Sequence, residues 1–246
     1  MKLAWSPLAL AAALSLSLTA CGDDKSSAST TPSSTPSAVA TPADPTPTET
    51  PTETGPVKRT SAELTKALLE LKDLPTGFTL VPDEPDDEDV IPFSSSAGKC
   101  KPLVKFLNAD KAPGSKANAH RSFTGGQEGP YIDFSLDSMN TSTAVGKLQT
   151  SYREAVESCQ KVTMRVAEQG SSPMAVEEIT APQFGEGPFA FKLTGSSGPL
   201  EGREFTMATT GVGDVIVAVG IMAGQQGELD GATEAAVEKA RAVLAK

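Results

Sequence analysis

The chain of 246 residues has few of the side chains that catalytic and metal sites use most often, since it contains a single histidine, His120. A Ser-His-acid or Cys-His mechanism would have to use that residue, and no Gly-x-Ser-x-Gly nucleophile motif accompanies it. Zinc sites with three histidines, or with histidine and glutamate, are excluded by the same count. We interpret His120 as an ordinary strand residue, and we predict a domain that is not an enzyme, uses no cofactor and holds no metal.

Basic residues are also scarce: 21 Lys and Arg face 31 Asp and Glu, which gives a formal net charge of −10. This balance excludes nucleic acid as a predicted partner. Six of the acids lie in residues 83–89, a density that could hold calcium through oxygen ligands. The run lacks the glycine turn of an EF-hand loop and has almost no apolar residues, so we interpret it as a solvated loop.

Long apolar runs are missing as well. The run at residues 8–18 is too short to span a bilayer, and charged Asp23 and Asp24 follow soon after it. Together with Lys2 it is typical of a secretory signal peptide covering residues 1–20. The sequence Leu18-Thr19-Ala20-Cys21 resembles the bacterial lipobox, which directs the attachment of diacylglycerol to the cysteine sulfur and cleavage just before it. We therefore predict lipidation of Cys21 and a location on the outer face of the cell membrane, held there by the lipid anchor.

Residues 21–57 contain no aromatic side chain and consist mainly of Ser, Thr, Pro and Ala. Such a segment cannot bury a hydrophobic core, so we predict a disordered linker. As a flexible coil it would span roughly 35 Å, which would hold a folded domain clear of the bilayer. Residues 58–246 are then long enough for a single domain.

Three cysteines are an odd number for an exported chain, and lipidation removes Cys21 from the count. In an oxidising compartment, Cys100 and Cys159 are expected to form a disulfide. The alternative is a pair of buried, unpaired cysteines that act as small apolar residues.

Apolar periodicity predicts four helices. The first starts at the cap Ser61 and runs to Leu74, and a short one includes Cys100 and Leu107. A long helix covers residues 143–159, and the last starts near Asp230 or Thr233 and passes through Leu244. Strands are predicted at residues 78–80, 120–124, 131–139, 162–167, 175–180, 189–193, 203–210 and 215–222. This order indicates an α+β domain with a mainly antiparallel sheet packed by two or three helices and one disulfide.

Six aromatic residues lie on these strands and could line a pocket if the sheet curves around the long helix, although plain core positions are the more common outcome. They are Phe123, Tyr131, Phe134, Phe189, Phe191 and Phe205.

The element order, from lipobox and linker through Leu74-Pro75-Thr76-Gly77-Phe78 to Cys100, a helix ending at Cys159 and a β-rich second half, resembles a known group. It is similar to the PknH-like extracellular sensor domain of actinobacteria, which occurs outside membrane-anchored Ser/Thr kinases and alone in lipoproteins. The resemblance implies an α+β fold with a ligand cleft and no established catalysis. Kinase-linked members carry a second disulfide, for which this chain has no cysteines.

The predicted function is therefore a membrane-anchored lipoprotein with a non-catalytic, sensor-like domain that binds a small molecule, a lipid or a protein. No binding residues follow from the sequence. The alternative is a carrier of lipids or glycolipids in the cell envelope. The aromatic residues on the strands and the membrane anchor favour this alternative.

Overall fold

The structure, a computed structural model, describes residues 55–82, 92–126, 129–224 and 226–244. The predicted signal peptide, the lipidation site Cys21, nearly all of the linker and the acidic run lie outside these residues.

A single antiparallel sheet organises the domain, with strand order β1-β3-β4-β9-β8-β7-β6-β5-β2. The α+β fold with a mainly antiparallel sheet is confirmed. Most predicted strands are present within a few residues of their expected ends, and the short strand β2 was missed. The strands are β1 Thr79–Val81, β2 Phe93–Ser94, β3 Ala117–Thr124, β4 Tyr131–Ser138, β5 Lys161–Val166, β6 Gly170–Ile179, β7 Glu186–Gly195, β8 Glu204–Val212 and β9 Val215–Met222.

The two faces of the sheet carry different helices. Helices α1 (Ser61–Ala67) and α4 (Gln226–Leu244) cover what we call the back face, over β3, β8 and β9. Helices α2 (Lys101–Leu107) and α3 (Ser142–Ser158) lie on the front face, where α3 crosses β6, β7 and β8. Side chains alternate along each strand, so the apolar core is divided into one cluster beneath α1 and α4 and others beneath α2 and α3.

Helix α1 is shorter than its periodicity predicts. Its N-cap is Thr60 rather than Ser61, in a capping box with Glu63. The helix ends at Ala67 because Leu68 adopts an extended conformation, which lets Leu68 and Leu69 both be buried. Leu71, expected on the apolar stripe, is 47% exposed.

Helix α4 begins at Gln226, earlier than the two predicted starts. The Thr233 hydroxyl donates to the Leu229 carbonyl oxygen within the helix, at 2.7 Å, instead of capping its end. Asp230 is an exposed residue of the same helix. Both residues have cap-forming side chains, but the helix continues through them because its other face is buried against β8 and β9.

The predicted disulfide is present: Cys100 and Cys159 are joined with a Cα–Cα distance of 4.8 Å. Cys100 immediately precedes α2, and Cys159 caps the end of α3. The bridge also joins the chain shortly after β2 to the chain shortly before β5, and these two strands pair at one edge of the sheet. It therefore fastens both α2 and the edge strand β2 to the front of the domain.

An ion pair fastens the segment before α1 to the rest of the domain. Arg59, just before α1, donates to both carboxylate oxygens of Asp214 at 2.7–2.9 Å and to the Leu244 carbonyl oxygen at 3.2 Å. The Ser138 hydroxyl donates to the same carboxylate at 3.1 Å. Asp214 lies in the tight turn between β8 and β9, next to Gly213 with φ of +58°. The segment before α1, the end of β4 and the β8–β9 turn thus meet at this carboxylate, and Arg59 joins them to the end of α4.

No helix among the described residues combines the length and the apolar character that crossing a membrane requires.

Candidate ligand-binding groove

A groove of about 460 Å³ runs over the front face, between the sheet and residues 106–110 at the end of α2. His120 and Ser122 on β3 line one side, and Phe93 on β2 lines the other. These strands are second and last in the sheet, and in a flat sheet they would be about 34 Å apart. Because residues of both strands line one groove, the sheet must curve toward its front face.

Small residues on the central strand β9 leave space for the groove above the sheet. Ala218 and Gly220 lie there, with Gly220 in register between Asp133 of β4 and Met207 of β8. Methionine and phenylalanine side chains from β5, β8 and the end of β9 also line the groove. They are Met164, Phe205, Met207 and Met222.

At one end the groove continues into a smaller cavity of about 120 Å³, which we call the inner pocket. The groove and the inner pocket share several lining residues, so they form one continuous space. The shared residues are Phe106, Leu107, Ala109, Asp110, Ser135, Met207 and Ala218. Apolar side chains of α2, α3 and the sheet enclose the inner pocket, namely Leu103, Val156, Phe191 and Ile216.

Asp137 of β4 is the most buried acid of the inner pocket, with 3% of its surface exposed. Its Oδ1 accepts a hydrogen bond from the Ala112 N–H at 3.1 Å. Burial raises the pKa of the Asp137 carboxyl, and the hydrogen bonds from Ser115 and Ala112 and the charge of Lys111 act in the opposite direction. The pocket therefore contains a carboxyl group that is harder to ionise than one in water.

Tyr152 of α3 also lines the inner pocket. Burial raises the pKa of its hydroxyl, and the negative charge of Asp137 raises it further. The ring stands edge-on to Phe106 of α2, with centroids 4.6 Å apart and planes at 88°. This aromatic pair holds α2 against α3 and so fixes one wall of the pocket.

Thr209 of β8 completes the polar part of the pocket. The residue is 6% exposed, and its hydroxyl oxygen has no hydrogen-bond partner among the described residues. An unpaired buried hydroxyl costs about 1–3 kcal/mol relative to a paired one. A polar group that carries such a cost in the wall of a cavity is a candidate for pairing with a ligand.

Some of the aromatic residues that the sequence suggested as pocket-lining do line the cavities, and others lie in the core. Phe134 and Phe205 line the groove, and Phe191 lines the inner pocket. Phe123 and Phe189 are 1% exposed core residues, and Tyr131 lines neither cavity. His120 is an exposed residue of β3 at the groove wall.

Sequence reasoning missed Asp137, Tyr152 and Thr209. The pattern of β4 contained the relevant signal, because Asp133, Ser135 and Asp137 alternate with apolar residues as on a solvent-facing strand. The strand is central and paired on both sides, so its polar face is turned toward the groove instead. Nothing in the spacing of single residues revealed that Thr209 lies on the same face.

Within the described ranges, no group of three or more His, Cys, Asp or Glu side chains is arranged to hold a metal ion. The acidic run considered for calcium lies outside those ranges.

No protein-family model matches the chain, and no curated protein matches it. Among solved structures, the extracellular domain of PknH from Mycobacterium tuberculosis is similar, with a TM-score of 0.56 at 14% sequence identity. The match covers 78% of this chain and 98% of that chain. This chain has the fold of the PknH extracellular domain. The resemblance expected from the element order is thus confirmed at the level of the fold. At 14% sequence identity, the similarity shows a shared fold, and a shared fold does not indicate which ligand is bound.

Proposed function

We propose that this chain is a lipid-anchored, extracytoplasmic lipoprotein whose PknH-like domain is a non-catalytic binding module, with the groove as its ligand site. The observation that carries the proposal is the continuous space on the front face, formed by the groove of about 460 Å³ and the inner pocket of about 120 Å³. Together these volumes are in the range of small-molecule sites, and a mostly apolar lining with a few polar groups is typical of such sites.

Three features support the location. The similar structure is an extracellular domain of PknH. The Cys100–Cys159 disulfide is typical of oxidising compartments. The Leu18-Thr19-Ala20-Cys21 motif supplies an anchor that needs no membrane-spanning helix.

A second candidate function is a carrier for a lipid or glycolipid. The apolar floor of the groove favours it, since Met164, Leu193 and Met222 could pack against an acyl chain. The two candidates differ in what the groove holds when the protein is purified from cells.

The experiment is native mass spectrometry of residues 22–246, exported behind a cleavable signal peptide and purified without detergent. Two variants are compared: Ala218→Phe places a ring on the groove floor, and Ala175→Phe makes the same change at an exposed position of β6. Under the binding-module proposal, a small molecule or peptide adds mass to the wild type and to Ala175→Phe but not to Ala218→Phe.

An acyl lipid with the same dependence on Ala218 would favour the carrier instead. A bound molecule that is unaffected by Ala218→Phe would contradict the groove as the site. Hydrolysis of a bound compound that is lost in Ala218→Phe would contradict a non-catalytic role.

A further inference from the structure

The inner pocket is close in size to a single ring. Its volume is about 120 Å³, and engineered cavities of roughly 150 Å³ in protein cores hold one benzene molecule. Packed elements set most of its walls: Leu103 and Val156 are buried, and the Phe106–Tyr152 pair joins the two helices. The pocket is therefore preformed for a compact apolar group.

The polar groups of the inner pocket lie on two neighbouring rows of the sheet. Ser135 of β4, Ala218 of β9 and Thr209 of β8 are in register across three adjacent strands. Asp137 lies two residues farther along β4, on the same face. A ring resting on Ala218 would thus have hydroxyl groups on both sides and a carboxyl group at one corner.

The Thr209 hydroxyl is the group that most needs a partner. Its oxygen is shielded from solvent, while the side chain itself lines the pocket. Rotation about χ1 exchanges the hydroxyl and the methyl group between staggered positions. A ligand with a polar group could therefore draw the hydroxyl toward the pocket and give it the hydrogen bond that it lacks.

Acidic side chains outnumber the lysine and arginine side chains around the space. Asp110 and Asp137 line the inner pocket together with Lys111, and Asp133 lines the groove. An anionic ligand would bring like charges together in an apolar surrounding, which is costly. A hydroxyl or an ammonium group can instead donate a hydrogen bond to a carboxyl oxygen.

We propose that the inner pocket binds a molecule of about one aromatic ring that carries a hydroxyl or an ammonium group, and that it rejects carboxylates of the same size. The inference rests on the proposed function, because it names the ligand class of the same site.

The test uses four probes that share one ring: toluene, benzyl alcohol, benzylamine and benzoate. Their dissociation constants for residues 22–246 are measured by NMR titration. We expect shifts at the amides of Ser135, Asp137 and Thr209 with benzyl alcohol and benzylamine, and binding of benzoate at least about tenfold weaker than that of benzylamine.

Thr209→Val removes the hydroxyl and keeps the shape of the side chain. We expect it to reduce the preference for benzyl alcohol over toluene about fivefold, since the hydrogen bond to the ligand is lost. The control Thr194→Val, a half-buried threonine of β7 outside the cavities, should leave the preference unchanged. Asp137→Asn separates the two headgroups: a larger loss for benzylamine than for benzyl alcohol identifies an ammonium ligand, and equal losses identify a hydroxyl ligand.

Benzoate binding as tightly as benzylamine would overturn the proposal, and so would an unchanged preference in Thr209→Val. If none of the probes binds but the purified chain carries a ligand that Ala218→Phe removes, the ring-sized ligand class is wrong and the proposed function stands. If both experiments show no binding at the groove, both are wrong.

Discussion

Thr209 is a residue whose side chain opposes the stability of the ligand-free domain. Its buried hydroxyl has no partner among the described residues, so replacing it with a methyl group removes a desolvation cost. We expect Thr209→Val to raise the free energy of unfolding by about 1–3 kcal/mol, measured by urea denaturation.

Thr194→Val, on the other side of the sheet, is the matched control and should change stability by no more than about 0.5 kcal/mol. A gain in stability together with weaker ligand binding is typical of a functional residue, because binding sites retain groups that folding alone would not select. A loss of stability in Thr209→Val would show that the hydroxyl is satisfied in the folded domain.

Asp137 gives the domain a specific dependence on pH. Burial raises the pKa of this carboxyl above its value in the unfolded chain, so the folded state binds the proton more tightly. The contribution of Asp137 to stability is therefore fully present below the unfolded pKa and is lost as the pH rises through the folded pKa. We expect Asp137→Asn to abolish this decrease in stability with rising pH. The measurement is the free energy of unfolding from urea denaturation curves between pH 3 and pH 8.

The matched control is Asp73→Asn. A hydrogen bond from Lys239, at 2.7 Å, lowers the pKa of Asp73. Its contribution to stability is present above the unfolded pKa and is lost as the pH falls through the folded pKa. The two Asn variants should thus change the pH profile in opposite directions, and a change in the same direction would contradict the environment assigned to Asp137.

At the scale of elements, the disulfide holds one wall of the groove. It fixes the start of α2 to the end of α3 and lies next to the pairing of β2 with β5. Because the cross-link closes a loop of 59 residues, we expect Cys100→Ala with Cys159→Ala to lower the free energy of unfolding by about 4 kcal/mol.

Hydrogen exchange should locate the effect. In the double variant, the amides of α2 and β2 should lose more protection than those of α4, which packs on the other face. Reduced wild type is the control and should behave like the variant. Equal loss of protection in α2 and α4 would mean that the bridge acts only through the unfolded chain.

The ion pair between Arg59 and Asp214 joins elements that are far apart in sequence. Its side chains are 15% and 5% exposed, and the carboxylate also accepts a hydrogen bond from Ser138. Removing one partner would leave a buried charge unpaired, so Arg59→Met should lower the free energy of unfolding by about 3 kcal/mol.

Lys72→Met provides the comparison in chemical denaturation. Lys72 pairs with Glu70 on the surface, with 72% and 49% of the side chains exposed, so its loss should lower stability far less than the loss of Arg59. Similar costs for the two variants would show that the Arg59 pair is solvated like a surface pair.

For the whole molecule, the local elements could be predicted more fully than their arrangement. The alternation of Ile132 and Phe134 with Asp133 and Ser135 identified β4, because side-chain direction is a local property of a strand. The strand β2 has only two residues and no such pattern, so it depends on its pairing with β5. The helix-forming tendency of residues 61–74 was overridden by the burial of Leu68 and Leu69.

The candidate site was less predictable for a physical reason. Asp137 and Thr209 are 72 residues apart and meet only because β4, β9 and β8 are adjacent in the sheet. Strand order depends on long-range pairing, which the period of a single strand does not encode. The disulfide, by contrast, could be predicted from the sequence. Once Cys21 is assigned to the lipid, only two cysteines remain to pair in an oxidising compartment.

The position of the disulfide has a consequence for biosynthesis. A ribosome makes Cys100 well before Cys159, which follows 59 residues later, and during that interval Cys21 is the one other cysteine in the nascent chain. A sulfur that is bonded to diacylglycerol through a thioether cannot join a disulfide. Under the proposed lipidation, the anchor therefore also acts as a protecting group, because a lipidated Cys21 cannot form a mispair with Cys100.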